Sequence, residues 1–113
     1  MHKNSIQFLA ALIVCVFLAA CAKPVPQEKI NYVGQWHASA MRLWISQDGS
    51  VDYKRVQGGM TTKISGPLQK FEGDDFFVGF SFMTAKFVVS KPPYHDGGKW
   101  KMVVDGVELS RAG

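Results

Sequence analysis

Phe76-Phe77-Val78-Gly79-Phe80-Ser81-Phe82 decides the fold. Its apolar residues recur at every second position, so Phe76, Val78, Phe80 and Phe82 share one face and Gly79 and Ser81 the other. That period fits a pleated strand with one buried face and no helix, whose side chains return to a face every three or four positions. On both sides of this stretch the chain is cut at short intervals by turn-forming pairs: Asp48-Gly49, Gly58-Gly59, Gly66-Pro67, Gly73-Asp74, Pro92-Pro93, Gly97-Gly98 and Asp105-Gly106. The strands this predicts are 41–46, 51–56, 61–65, 68–72, 76–82, 85–90, 99–104 and 107–111. Short strands at such spacing predict an all-β fold, a small antiparallel meander that closes into a compact barrel or sandwich. The strand at 68–72 is the weakest of the set, because Leu68 and Phe71 are three positions apart.

Register follows from keeping apolar side chains on one face, since a slip of one residue sends them all to the other. A two-residue turn at Asp105-Gly106 pairs Val104 with Val107, Met102 with Leu109 and Trp100 with Arg111. At Asp48-Gly49 the same turn would set Ile45 against Asp52, whereas a three-residue loop, Gln47-Asp48-Gly49, pairs Ile45 with Val51 and Leu43 with Tyr53. For the central strand, a turn at Met83-Thr84, or a four-residue loop in the same register, sets Phe80 opposite Phe87 and Val78 opposite Val89. Phe80 is thereby expected in the middle of the core.

At the amino terminus, Met1 to Asn4 contains Lys3, and Ile6 to Ala20 is apolar apart from Gln7, the order of a secretory signal. As a helix this run would span roughly 22 Å, short of the ~30 Å hydrocarbon core, which argues against a permanent membrane span. Leu18-Ala19-Ala20-Cys21 resembles the lipobox of small Gram-negative bacterial lipoproteins. The resemblance implies cleavage between Ala20 and Cys21, a diacylglycerol on the Cys21 sulfur and an acyl chain on the new amino group. Several chains on one residue make a stable membrane anchor, which one chain does not. Ala22 follows the cysteine; the sorting rule of the family retains Asp at that position in the inner membrane, so Ala22 implies the periplasmic face of the outer membrane.

Three segments result: a signal peptide (1–20), the lipidated Cys21 with a polar, proline-containing tether (21–31), and a β domain (32–113). Extended, the ten residues Ala22 to Asn31 would reach about 30 Å at ~3.1 Å per residue. Cys15 leaves with the signal, so no disulfide staples the domain and its core must suffice. With Lys3 gone, twelve basic residues face nine acidic ones, a net charge of +3. This modest excess suits a solubilising face or attraction to an anionic membrane, and lacks the runs of basic and aromatic residues that mark nucleic-acid binders.

Tyr32-Val33-Gly34-Gln35-Trp36 contains a G-x-W similar to the one that opens the first strand of lipocalins. The resemblance implies that Trp36 closes one end of a barrel and that an arginine of the last strand, here Arg111, stacks on it; the Asp105-Gly106 hairpin sets Arg111 opposite Trp100, which is the expected stacking partner, with Trp36 second and a frayed, solvent-exposed Arg111 as the alternative. A barrel of about 80 residues fills its interior with side chains. His37, His95 and Asp96 do not have the spacing of a metal site, and Asp74-Asp75 reads as a turn beside Gly73. No nucleophile stands next to a base, so neither enzyme activity nor a cofactor is expected. Two functions follow: an envelope interaction or structural module with a protein partner, or a binder of a small apolar ligand or lipid.

Overall fold

The computed structural model describes residues 23–112; the segment 1–20 expected to be a signal peptide, with Ala20, and the expected lipid site Cys21 lie outside them. A 3-10 helix, Gln27–Tyr32, leads into β1 (Gly34–His37), β2 (Met41–Ile45), β3 (Ser50–Gln57), β4 (Met60–Glu72), β5 (Asp75–Phe80), β6 (Met83–Phe87), β7 (Val89–Asp96), β8 (Lys99–Val104) and β9 (Val107–Arg111). All pairings are antiparallel, in the order β6-β5-β4-β3-β2-β1-β9-β8-β7. The domain is all-β, as expected, a curled half-barrel.

The curl follows from the topology. β6 and β7 stand at opposite ends of the strand order, yet Val88 alone separates them in the chain. A flat sheet would hold its two edges far apart, so the sheet bends until they meet. Two aspartates pin this corner: Asp105 accepts the Val88 N–H at 2.9 Å and Asp75 accepts the Val89 N–H at 2.8 Å. Both satisfy backbone donors that lack a ladder partner at the corner.

The concave face holds the core, including Trp36, Met41, Leu43, Ile45, Phe76 and Leu109. Alternation explains it along β2, where Met41, Leu43 and Ile45 are buried and Arg42 and Trp44 are exposed. Aromatic rings fill its centre: Phe76 stacks on Phe87 at 5.0 Å, and Tyr53 meets Phe87 edge-on at 4.9 Å.

Both Asp-Gly turns have the expected registers. Val104 pairs with Val107 and Met102 with Leu109, with Asp105 and Gly106 both at positive φ as a type I′ turn requires. Across Gln47-Asp48-Gly49, Ile45 pairs with Val51 and Leu43 with Tyr53.

Four expectations are corrected. First, the β5–β6 turn is Ser81-Phe82, with Phe80 opposite Met83, Val78 opposite Ala85 and Phe76 opposite Phe87. The turn centre lies two residues earlier than the sequence suggests, because Gly79 lets the Met83 carbonyl come where a Cβ would lie 2.1 Å away. This slip preserves parity, so Phe76 and Val78 still face inward. Phe80 and Phe82, however, lie beyond the core at 58% and 88% exposure.

Second, Gly66-Pro67 is no turn. It lies within β4, where the strand's pairing passes from β3 (through Pro67) to β5 (from Leu68). A proline is tolerated at that switch because its missing N–H is not needed. A bulge between Leu68 and Lys70 then shifts the alternation, which accounts for the three-residue spacing of Leu68 and Phe71.

Third, Pro92-Pro93 lies inside β7, an edge strand whose register shifts twice around them. Ala85 to Ser90 is divided between β6 and β7, and β1, at the G-x-W, is a further strand beyond the eight predicted from periodicity and turns.

Fourth, the tether is shorter than expected. Val25 is buried and donates its N–H to the Gln47 carbonyl at 3.0 Å, and the Lys29 ammonium donates to the Gly73 carbonyl at 2.7 Å. The hydrophobic side chains of Val25 and Tyr32 draw this segment onto the barrel end. Tyr32 donates its hydroxyl to the Asp74 carbonyl at 2.9 Å and meets Phe71 edge-on at 5.1 Å.

Burial first, and then the Asp74 and Asp75 carboxylates, push the Tyr32 phenol well above its ordinary value of 10.0. The unfolded chain releases this proton near pH 10 while the folded chain keeps it, so the stability that Tyr32 contributes is complete below about pH 10 and declines as pH rises beyond it. Urea midpoints measured from about pH 9 to 11.5 should fall more steeply for the parent than for Tyr32→Phe; parallel curves would contradict this.

Candidate functional site, the outer face of strands β1 to β4

The convex side of the sheet has its own order. Register sets Gln35, Trp44, Asp52 and Ser65 in one line across β1, β2, β3 and β4. The next outward line consists of His37, Arg42, Lys54 and Lys63, each directly opposite its neighbour. At roughly 4.8 Å between adjacent strands, this second line spans about 14 Å. All four residues are exposed, and among the described residues none of them forms an ion pair or a side-chain hydrogen bond. Like charges directly opposite one another destabilise a sheet, so this row does not serve stability.

These two lines border a depression of about 640 Å³ open to solvent. Trp44 lies within it, 49% exposed although its indole is a large apolar group. Beside it the Asp52 carboxylate accepts the Ser65 hydroxyl at 2.6 Å. The depression thus combines an aromatic platform, a hydroxyl and carboxylate pair, and a lateral row of three cations, Arg42, Lys54 and Lys63, continued by the His37 side chain.

A second depression, about 540 Å³, lies towards the tip of the β5–β6 hairpin and includes Ile64, Val78, Phe80, Met83 and Ala85. Most of these side chains continue the inner face beyond the core, so it is apolar.

The residues predicted to close the barrel meet at its rim. Trp36 pairs with Arg111 across β1 and β9. The Arg111 guanidinium carbon lies 5.4 Å from the Trp36 ring centroid and 4.9 Å from that of Trp100, so it touches both aromatic partners. Its Nη1 donates to the carbonyls of Asn31 at 3.2 Å and Val33 at 3.3 Å. Gly34 admits the arginine because a Cβ there would sit 2.5 Å from Arg111 Cδ. The Trp36 indole N–H donates to the Tyr32 carbonyl at 2.8 Å. This cluster ties both ends of the domain together and is structural in character.

Among the other residues weighed from sequence, His37 closes β1 at the end of the row formed by Arg42, Lys54 and Lys63, whereas His95 and Asp96 lie in β7, with His95 against Trp100 at 3.8 Å. Both histidine segments are strands. Among the described residues, no three of His, Cys, Asp or Glu gather as a metal site would require, and no helix is long and apolar enough to cross a membrane. Cys21 and Ala20, expected from the sequence to flank a cleavage site, lie outside the described residues.

The row of His37, Arg42, Lys54 and Lys63 is not legible in the sequence because its members are scattered between positions 37 and 63. The signal was present in part: the register that sets Leu43 against Tyr53 also sets Arg42 against Lys54. Comparison of the chain with protein-family models, with curated proteins and with solved structures returned no match.

Proposed function

We propose that this chain is a lipoprotein anchored through Cys21 on the periplasmic face of the outer membrane, and that its β domain is an envelope interaction module working through its outer sheet surface. The observation that carries the second part is the division of the domain into a concave face filled by side chains such as Trp36, Phe76 and Phe87 and a convex face with an open depression around Trp44. Lipocalin-like storage needs the space inside. An interaction module needs it outside. The anchor rests on the sequence Leu18-Ala19-Ala20-Cys21.

The short tether bears on this reading. Because Val25 is already part of the core, four residue steps from Cys21 to Val25 reach about 14 Å at most. The domain then rides close to the lipid surface, with the end that holds the Gln47-Asp48-Gly49 loop nearest to it.

Cys21→Ser tests the anchor. The variant should lose metabolic labelling by a fatty acid completely and should either remain uncleaved or leave the membrane fraction. Undiminished labelling refutes the anchor. A second reading, a binder of a small apolar ligand or lipid, draws on the depression around Phe80 and Met83; saturable binding of a fluorescent fatty acid, abolished by Met83→Asp, would favour it over an interaction module.

A further inference from the structure

We infer that the depression on the outer face is a binding site for an acidic glycan, a linear chain of sugars carrying carboxylate groups. The inference deepens the interaction reading, resting on it only in taking the convex face as the working surface. Three features of the site select this ligand class.

Charge is the first. Arg42, Lys54 and Lys63 stand in register on three adjacent strands, exposed and in no ion pair among the described residues, and the His37 side chain continues their line onto β1. A row of this kind repels itself and is relieved by anionic groups repeated along a ligand that crosses the strands. A single small anion would neutralise one or two members and leave the others opposed.

The indole of Trp44 is the second. It is half exposed at the centre of the neighbouring line, and a flat apolar surface of this kind suits a ligand with a face of C–H bonds, as a pyranose ring presents, or a planar ring. The third feature separates these. Next to Trp44, the Asp52 carboxylate is held by the Ser65 hydroxyl at 2.6 Å, and Gln35 lies on its other side in the same line. A carboxylate accepts hydrogen bonds from the hydroxyls that a sugar ring carries around its edge. The site is therefore divided: acceptors and an aromatic face for the sugar ring, cations one row away for its acid groups. Its volume of about 640 Å³ is that of a site for a few linked rings.

The test uses the full chain with its anchor, purified in a non-ionic detergent, and three probes measured by calorimetry: hexagalacturonate, uncharged maltohexaose, and a twelve-residue oligothymidylate. Hexagalacturonate should bind saturably, with affinity falling as salt is raised, and maltohexaose should bind at least tenfold more weakly. Lys54→Gln/Lys63→Gln should weaken hexagalacturonate at least tenfold, and Trp44→Ala at least fivefold. Neither variant should lower the thermal midpoint appreciably, since the replaced side chains are exposed and the lysines unpaired.

Absence of hexagalacturonate binding at millimolar concentration overturns the proposal, as does equal binding of maltohexaose or an unchanged affinity in the variants. Oligothymidylate binding as tight as hexagalacturonate also overturns it, in favour of a general polyanion surface. Fatty-acid labelling of the same preparations reports on Cys21 independently. Glycan binding by an unlabelled chain would refute the anchor and leave this site standing, and a labelled chain that binds no glycan would do the reverse.

Discussion

Phe76→Ala should lower the thermal midpoint by more than about 15 °C, while Phe80→Ala should shift it by only a few degrees. Phe76 is fully buried, stacked on Phe87 at 5.0 Å and packed near Tyr32 and Phe71 at 6.3 Å and 6.1 Å. Truncating such a ring typically costs about 3–5 kcal/mol, of which part is lost transfer energy and part the cavity left behind. A domain of this size has a total stability of roughly 5–10 kcal/mol, so the variant retains little of it. Phe80 belongs to the same strand and the same alternation, yet 58% of its surface already meets water. Thermal melts of the two variants side by side distinguish burial from mere alternation. Equal losses would place the core elsewhere along β5.

The contrast between those two phenylalanines marks how far the sequence could be read. Period two along 76–82 correctly specifies a strand and its inward face, because parity depends only on the pleat. It carries no information about where the core ends. That depends on the turn at Ser81-Phe82, which has no glycine, proline or asparagine to announce it. Asp48-Gly49 and Asp105-Gly106 were legible because their chemistry restricts the turn and because only one register keeps Leu43, Ile45, Met102 and Val104 on the buried face. Pro67 and the Pro92-Pro93 pair misled for the opposite reason. Each is tolerated in a strand by a tertiary circumstance, a change of partner at Pro67 and a bulged sheet edge at Pro92-Pro93. The corner at which the sheet's two edges meet was likewise hidden, since it rests on Asp75 and Asp105 capping a junction whose two sides are joined by Val88 alone. The candidate site is the least legible part: His37, Arg42, Lys54 and Lys63 become neighbours only after three registers are known together.

Arg111→Ala should cost about 2 kcal/mol and lower the thermal midpoint by roughly 10 °C, and Arg111→Lys should recover less than half of that. The guanidinium lies within 5.4 Å of the Trp36 centroid and 4.9 Å of the Trp100 centroid, so one planar cation serves two indoles on different strands. Each contact contributes about 0.5–1 kcal/mol where water retains access. The two long hydrogen bonds to the Asn31 and Val33 carbonyls add to this, because they fix the segment that leads into β1. Lysine has a point charge without the planar fork, so it can satisfy a carbonyl but not face two rings and two carbonyls at once. The loss is then transmitted: without Arg111 the β1–β9 pairing, which is only two residues long at Trp36 and His37, loses its lateral clamp. That pairing joins the β6-to-β1 part of the sheet to β9, β8 and β7. Hydrogen exchange should therefore accelerate at β1 and β9 in the variant before it does so at β3 or β4, together with a change in tryptophan fluorescence as Trp36 and Trp100 lose their shared neighbour. Exchange that rises uniformly over all strands would show that the arginine contributes to the core as a whole and does not fasten this one seam.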